Sequence, residues 1–209
     1  MHILFRESHG LEEAAIPQDL GQSPADLVIL SFSDSDLGAF AGAWHSARRS
    51  GQTLPSLRLA NLAALGHPLS VDTYVEHTLS GAKAILIRLI GGMPYWSYGL
   101  QQVELLARAR GIALAVLPAD GRADARLDAV STLSAQTLRA LARLCDEGGP
   151  EASGAALTLL ARAAGLCWDD TVTPRSLPLA GGWHPDCGVV DPATFARDPD
   201  RPLILLVFY

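Results

Sequence analysis

Lysine is almost missing from this chain: Lys83 is the only one among its 16 basic residues. Acidic residues outnumber basic ones, 22 to 16, for a net charge of −6. That balance argues against a nucleic-acid partner, which needs a basic stripe along the phosphate backbone. Cysteine is scarce too. Cys145, Cys167 and Cys187 are odd in number and far apart, and none forms a Cys-x-x-Cys pair. The pattern excludes a disulfide framework and a zinc ribbon, and it points to reduced thiols in the cytoplasm. Apolar runs are short. None has the length of a membrane span, and no basic segment leads into a long apolar core near Met1, so neither a membrane partner nor a leader is expected.

Catalytic fingerprints are missing as well. There is no G-x-G-x-x-G, no Gly-Lys-Ser/Thr loop, no H-E-x-x-H and no G-x-S-x-G elbow. No histidine pair has the spacing of a zincin helix. His9, in the turn after the first strand, is the one placed near the expected cleft, and one imidazole does not make a metal site.

What is present is a 49% hydrophobic chain of 209 residues, enough for one large core. It is organised around Ala84–Gln102, AILIRLIGGMPYWSYGLQQ. Ile85–Ile90 is an apolar run broken only by Arg88, as in a strand buried on both faces. Gly91-Gly92 ends it, and an amphipathic helix with Leu100, Val103, Leu106 and Ala107 on one stripe follows. The same alternation appears at Asp26–Phe32, DLVILSF, and the helix after Ser33 or Asp34 as its cap. Leu57–Ala60 and Ile112–Leu117 read as further strands. Ser70 reads as the cap of the helix between them, and Met1–Arg6 as a first strand.

The fold class that follows is α/β: an open, mostly parallel sheet, flavodoxin-like or Rossmann-like, with helices on both faces. Residues 1–130 are expected to form the sheet domain and 131–165 a helical appendage. Residues 166–202 are expected as an irregular loop region, and 203–209, LILLVFY, as the first strand of a following domain.

Ligands of such sheets settle at the carboxyl ends of the strands. The candidate binding residues are therefore those of two loops: Asp34 and Asp36 after one strand, Gly91, Gly92, Tyr95 and Trp96 after another. Two carboxylates suit a metal or an acid–base pair, but helix capping uses the same residues. The glycine pair can offer backbone N–H groups to an anion, or simply turn the chain. Tyr95 and Trp96 can stack on a flat ligand, or cover the strand ends. No catalytic residue and no metal site emerge.

Three stretches, Phe5–Phe40, Leu54–Leu79 and Gly81–Gln102, together resemble the amino-terminal part of the large subunit of aerobic cobaltochelatase, grouped with magnesium chelatase large subunits. Leu57–Ala60 with Asn61, His67-Pro68-Leu69-Ser70, and Gly91-Gly92 with Pro94-Tyr95-Trp96 are the most specific parts. The resemblance implies a longer protein that binds Co²⁺ and a corrin precursor, hydrogenobyrinic acid a,c-diamide. It implies insertion driven by ATP through two partner subunits, one an AAA+ ATPase, alongside the remaining domains of the large subunit. The intact protein would be a ligase forming nitrogen–metal bonds. The metal-insertion residues of the family lie in later domains, so none is carried onto this chain and no cofactor of its own is expected. The alternatives are a free-standing flavodoxin-like or cobalamin-binding-like module for a small ligand, a magnesium chelatase fragment, and a purely structural interaction domain.

Overall fold

The structure, a computed structural model, describes residues 16–168, 181–191 and 193. Met1–Arg6, His9 and Leu203–Tyr209 lie outside the described residues. Two compact units are separable, 1–175 and 176–209.

The first unit is built on a four-stranded parallel sheet. In chain order the elements are β1 (Leu27–Ser31), α1 (Asp34–Arg49), β2 (Leu57–Asn61), α2 (Pro68–His77), β3 (Ala84–Leu89), α3 (Ser97–Arg110) and β4 (Ala113–Pro118). Then follow α4 (Ala125–Val130), α5 (Ala135–Glu147) and α6 (Gly149–Ala163). The strand order is β2-β1-β3-β4. Every residue of β1 and β3 is buried, which is why both read as unbroken apolar runs instead of alternating ones.

Strand order fixes where the helices go. From β1 the chain steps one way to β2, then returns past β1 to β3 and on to β4. Right-handed crossovers therefore put α1 on one face and α2 and α3 on the other. Val28, Leu30, Ile85 and Ile87 accordingly pack with Val71, Tyr74, Leu100 and Val103. Leu27, Ile29, Ala84 and Leu86 point to the opposite face, against Phe40 and Ala43 of α1. Each fully buried Leu or Ile contributes roughly 1.5–3 kcal/mol.

These crossovers cover only half of the α1 face, because no connection runs back over β3 and β4. Residues 131–165 fill the gap. Leu138, Leu141 and Cys145 of α5 and Ala156, Leu157 and Leu160 of α6 join the same core as Leu86, Ala115 and Leu117. The segment expected as an appendage is thus the second layer of the sheet domain. Without it Leu86 and Ala115, now fully buried, would face water.

Two local expectations are corrected. The cap of α2 is His67, whose Nδ1 accepts from the Leu69 N–H at 3.1 Å, with Pro68 in the first turn. Ser70 sits one turn in, and its hydroxyl accepts from the Gln18 N–H at 2.7 Å. The polar stretch at 119–126 leads into α4, capped by Asp124. Within 166–202, the second unit contains a hairpin of β5 (Gly182–His184) and β6 (Gly188–Val190).

At the amino ends of the strands, Asp26 ties β1 to β2. Its Oδ2 accepts from the Ser56 N–H at 2.8 Å and the Ser56 hydroxyl at 2.6 Å. These bonds, the hydroxyl's first, hold its carboxyl below the ordinary aspartate value. A depressed folded value contributes stability that is present above the unfolded value and is lost as pH falls through the folded one. Urea midpoints of the parent and Asp26→Asn should therefore differ at about pH 6 and converge once the pH has fallen through that depressed value.

Candidate functional site

Strands β1 and β3 are neighbours, with Ser31 opposite Arg88 in the register. Leaving β1 the chain goes to one side of the sheet, and leaving β3 it goes to the other. This is the switch point of a doubly wound sheet, where a crevice opens at the carboxyl ends. Both loops singled out in the sequence stand here.

Ser33 caps α1 by accepting from the Asp36 N–H at 3.2 Å. The two carboxylates then part company. Asp34 Oδ1 accepts from Asn61 Nδ2 at 2.7 Å, which ties the loop to the end of β2. Asp36 Oδ2 accepts from the Ser31 hydroxyl at 3.0 Å and lies 3.4 Å from Arg88 Nε. Each carboxylate thus has its own partners.

Arg88 is the residue the sequence reading passed over as an interruption. Its side chain is 5% exposed, clamped between Asp36 and Asp146 of α5. Arg88 Nη2 donates to Asp146 Oδ1 at 3.1 Å. The signal was available, since a lone arginine inside a run buried on both faces requires a carboxylate partner. Its partners were not readable, because Asp146 is 58 residues away. Cys145 sits beside this cluster, and burial pushes its thiol up to about 11, against the pull of the Arg88 guanidinium. Cys167 and Cys187 are exposed. A native thiol titration near pH 8 should therefore show two reactive groups and one released only on unfolding.

The loop after β3 turns on Gly91 and Gly92, both at φ +77°. The Gly92 carbonyl accepts from the Tyr95 N–H at 3.3 Å, and the Tyr95 ring lies on Gly91, where a Cβ would stand 2.2 Å from its Cε2. Only glycine fits both the conformation and the contact. Asp124 Oδ2 would lie 3.2 Å from a Cβ at Gly92.

The aromatics split in role. Trp96 is 6% exposed, donates Nε1–H to the Leu65 carbonyl at 2.9 Å, and covers Gly99 of α3. Its indole belongs to the core beneath the rim. Tyr95 is 69% exposed. Tyr98 donates its hydroxyl to Asp72 at 2.7 Å, and that bond raises its pKa. Ile90, just after β3, and Leu69, at the start of α2, are exposed as well. Among the described residues no group of three or more His, Cys, Asp or Glu is placed to hold a metal ion. Nor is any described helix long and apolar enough to cross a membrane.

Comparison with known proteins was decisive at the level of sequence. No family model matches the chain. The aerobic cobaltochelatase subunit CobN of a Sinorhizobium species is 38% identical over 91% of this chain. CobN of Pseudomonas aeruginosa is 36% identical over all of it. Over this segment the chain belongs to the CobN family.

It spans 14% and 17% of the length of those two CobN proteins. A solved structure, the catalytic subunit of cobaltochelatase from Mycobacterium tuberculosis, superposes on 73% of the chain with a TM-score of 0.55 and 26% identity, using 11% of its own length. The open parallel sheet predicted from the strand–helix alternation is therefore shared with a cobaltochelatase catalytic subunit.

Proposed function

We propose that this CobN segment is a non-catalytic wall of a cobaltochelatase large subunit. In that reading the intact subunit inserts Co²⁺, as substrate, into hydrogenobyrinic acid a,c-diamide in the cytoplasm. An AAA+ ATPase and a second subunit supply the energy of ATP hydrolysis, and the reaction is a ligation forming nitrogen–metal bonds. The observation that carries it is the match to CobN along 91–100% of this chain and only 14–17% of CobN. The relatives' names favour cobalt over the magnesium alternative. The rim of Tyr95, Ile90 and Leu69 supplies the surface, facing either the macrocycle or a partner subunit.

The test is Tyr95→Ala in the intact large subunit, assayed for cobalt insertion with its partners and ATP. Loss of one aromatic face should raise the KM for the corrinoid about two- to tenfold with kcat nearly unchanged. A change in partner affinity alone assigns the rim to docking. An unchanged KM and unchanged partner affinity would remove the rim from the function.

A second reading is a small-ligand module of its own. The adjacency of β1 and β3 favours it, because the loops at 33–36 and 91–96 then border one crevice. Direct binding of the corrinoid to the 209-residue chain, read by calorimetry without any partner, supports this module.

A further inference from the structure

A cleft of about 570 Å³ opens beyond the carboxyl end of β4, within the size range of small-molecule sites. Its walls come from three places. Leu117 and Pro118 end the strand, Arg122 and Asp124 come from the loop after it, and Arg139 and Arg143 stand four apart on the flank of α5. Ala142 adds apolar surface between the arginines.

The lining carries three arginines and three aspartates, and the two sets are not paired with each other. Among the described residues, the guanidinium groups of Arg122, Arg139 and Arg143 make no hydrogen bond or ion pair. The carboxylates close by are mostly committed. Asp146 Oδ1 is held by Arg88 at 3.1 Å, and Asp124 Oδ2 by Arg126 at 3.1 Å. Asp128 is the acidic group in the lining without such a partner. Three arginines without side-chain partners thus line one cavity in a chain where 22 acidic residues outnumber 16 basic ones. Arginine presents flat, paired donors that match carboxylate and phosphate oxygens.

The larger cavity, about 750 Å³ at the amino ends of the strands, lacks this property. Its arginines are engaged, Arg108 with Glu104 at 2.9 Å and Arg110 with the Ser80 carbonyl at 3.0 Å.

We propose that the cleft walled by Arg122, Arg139 and Arg143 binds a small molecule that carries two or more anionic groups, carboxylate or phosphate, on an apolar body. The guanidinium groups take the anionic groups, and Leu117, Pro118 and Ala142 take the apolar part. This site stands on its own residues and survives even if the role in cobalt insertion fails.

The test is calorimetric titration of the 209-residue chain with trimesate, an apolar ring bearing carboxylates, and with naphthyl phosphate. One or both should bind with a dissociation constant of about 1 mM or tighter and weaken as salt rises. Arg139→Gln with Arg143→Gln should weaken binding about tenfold or more, and Arg122→Gln should weaken it less. The control Arg49→Gln with Arg162→Gln, on α1 and α6, removes the same charge and should leave affinity unchanged. Trimesate alone assigns carboxylate chemistry, and naphthyl phosphate alone assigns phosphate chemistry. Binding of neither probe, or equal loss in the control, would overturn the proposal. Far-UV circular dichroism of each variant verifies that the fold is intact, and these surface positions leave the core untouched.

Discussion

Replacing both carboxylates that flank Arg88, as Asp36→Asn with Asp146→Asn, should destabilise the fold by about 3–5 kcal/mol. A guanidinium keeps its charge, so the burial cost has to be offset by neighbouring carboxylates. With its side chain 5% exposed, Arg88 would keep the cost of desolvation and lose the charges that offset it. The two partners are not equal. Asp36 is 23% exposed and also accepts from Ser31, whereas Asp146 is 45% exposed and screened by solvent. Asp36→Asn alone should therefore cost more than Asp146→Asn alone, whose exposed pair is worth at most about 1 kcal/mol. Adding Arg88→Met to the double variant should recover most of the loss, because an apolar side chain of similar length needs no counter-charge. Urea unfolding of the four variants measures this. A triple variant no more stable than the double would show that the buried charge is not the cause.

Trp96→Ala should cost about 3–5 kcal/mol, while Tyr95→Ala should stay within about 0.5 kcal/mol of the parent. The two residues are adjacent and both aromatic, yet one is buried and the other is 69% exposed. Removing the indole leaves a cavity against Gly99, where a Cβ would lie 2.1 Å from the ring. It also leaves the Leu65 carbonyl without its 2.9 Å donor. Trp96→Phe should fall between the two, filling part of the space without the hydrogen bond. Thermal and urea unfolding of the three variants would decide it. Equal losses at Tyr95 and Trp96 would mean that both rings pack the core and the rim has no free aromatic face.

How far the sequence carried the fold follows from what each signal measures. The apolar runs of β1, β3 and β4 were legible because central parallel strands bury both faces. The carboxyl rim was legible for the same reason, since parallel strands send their outgoing loops to one edge. The position of α5 and α6 was not. Periodicity shows that Leu138, Leu141 and Cys145 share a face, but not which surface that face covers. The six-residue α4 was hidden by the turn-rich residues before it. His67 was missed as a cap because an imidazole acceptor is a rarer cap than a serine hydroxyl, although Pro68 in the first turn is a common helix start. At the site, Ser33 as a cap could be read locally. The separation of Asp34 from Asp36 could not, because Asn61 and Arg88 come from other strands. Nor could Trp96 be told from Tyr95 by type or position. Burial of one and exposure of the other follow from the 3₁₀ turn at Met93–Trp96, which rotates successive side chains to different sides.

Hydrogen–deuterium exchange on the intact large subunit, with and without hydrogenobyrinic acid a,c-diamide and the partner subunits, bears most directly on the wall assignment. Peptides covering residues 32–36 and 90–98 should exchange more slowly in one of these bound states, while the β3 and β4 interior stays unchanged. Protection confined to other parts of the subunit in every bound state would contradict a rim that meets the macrocycle or a partner.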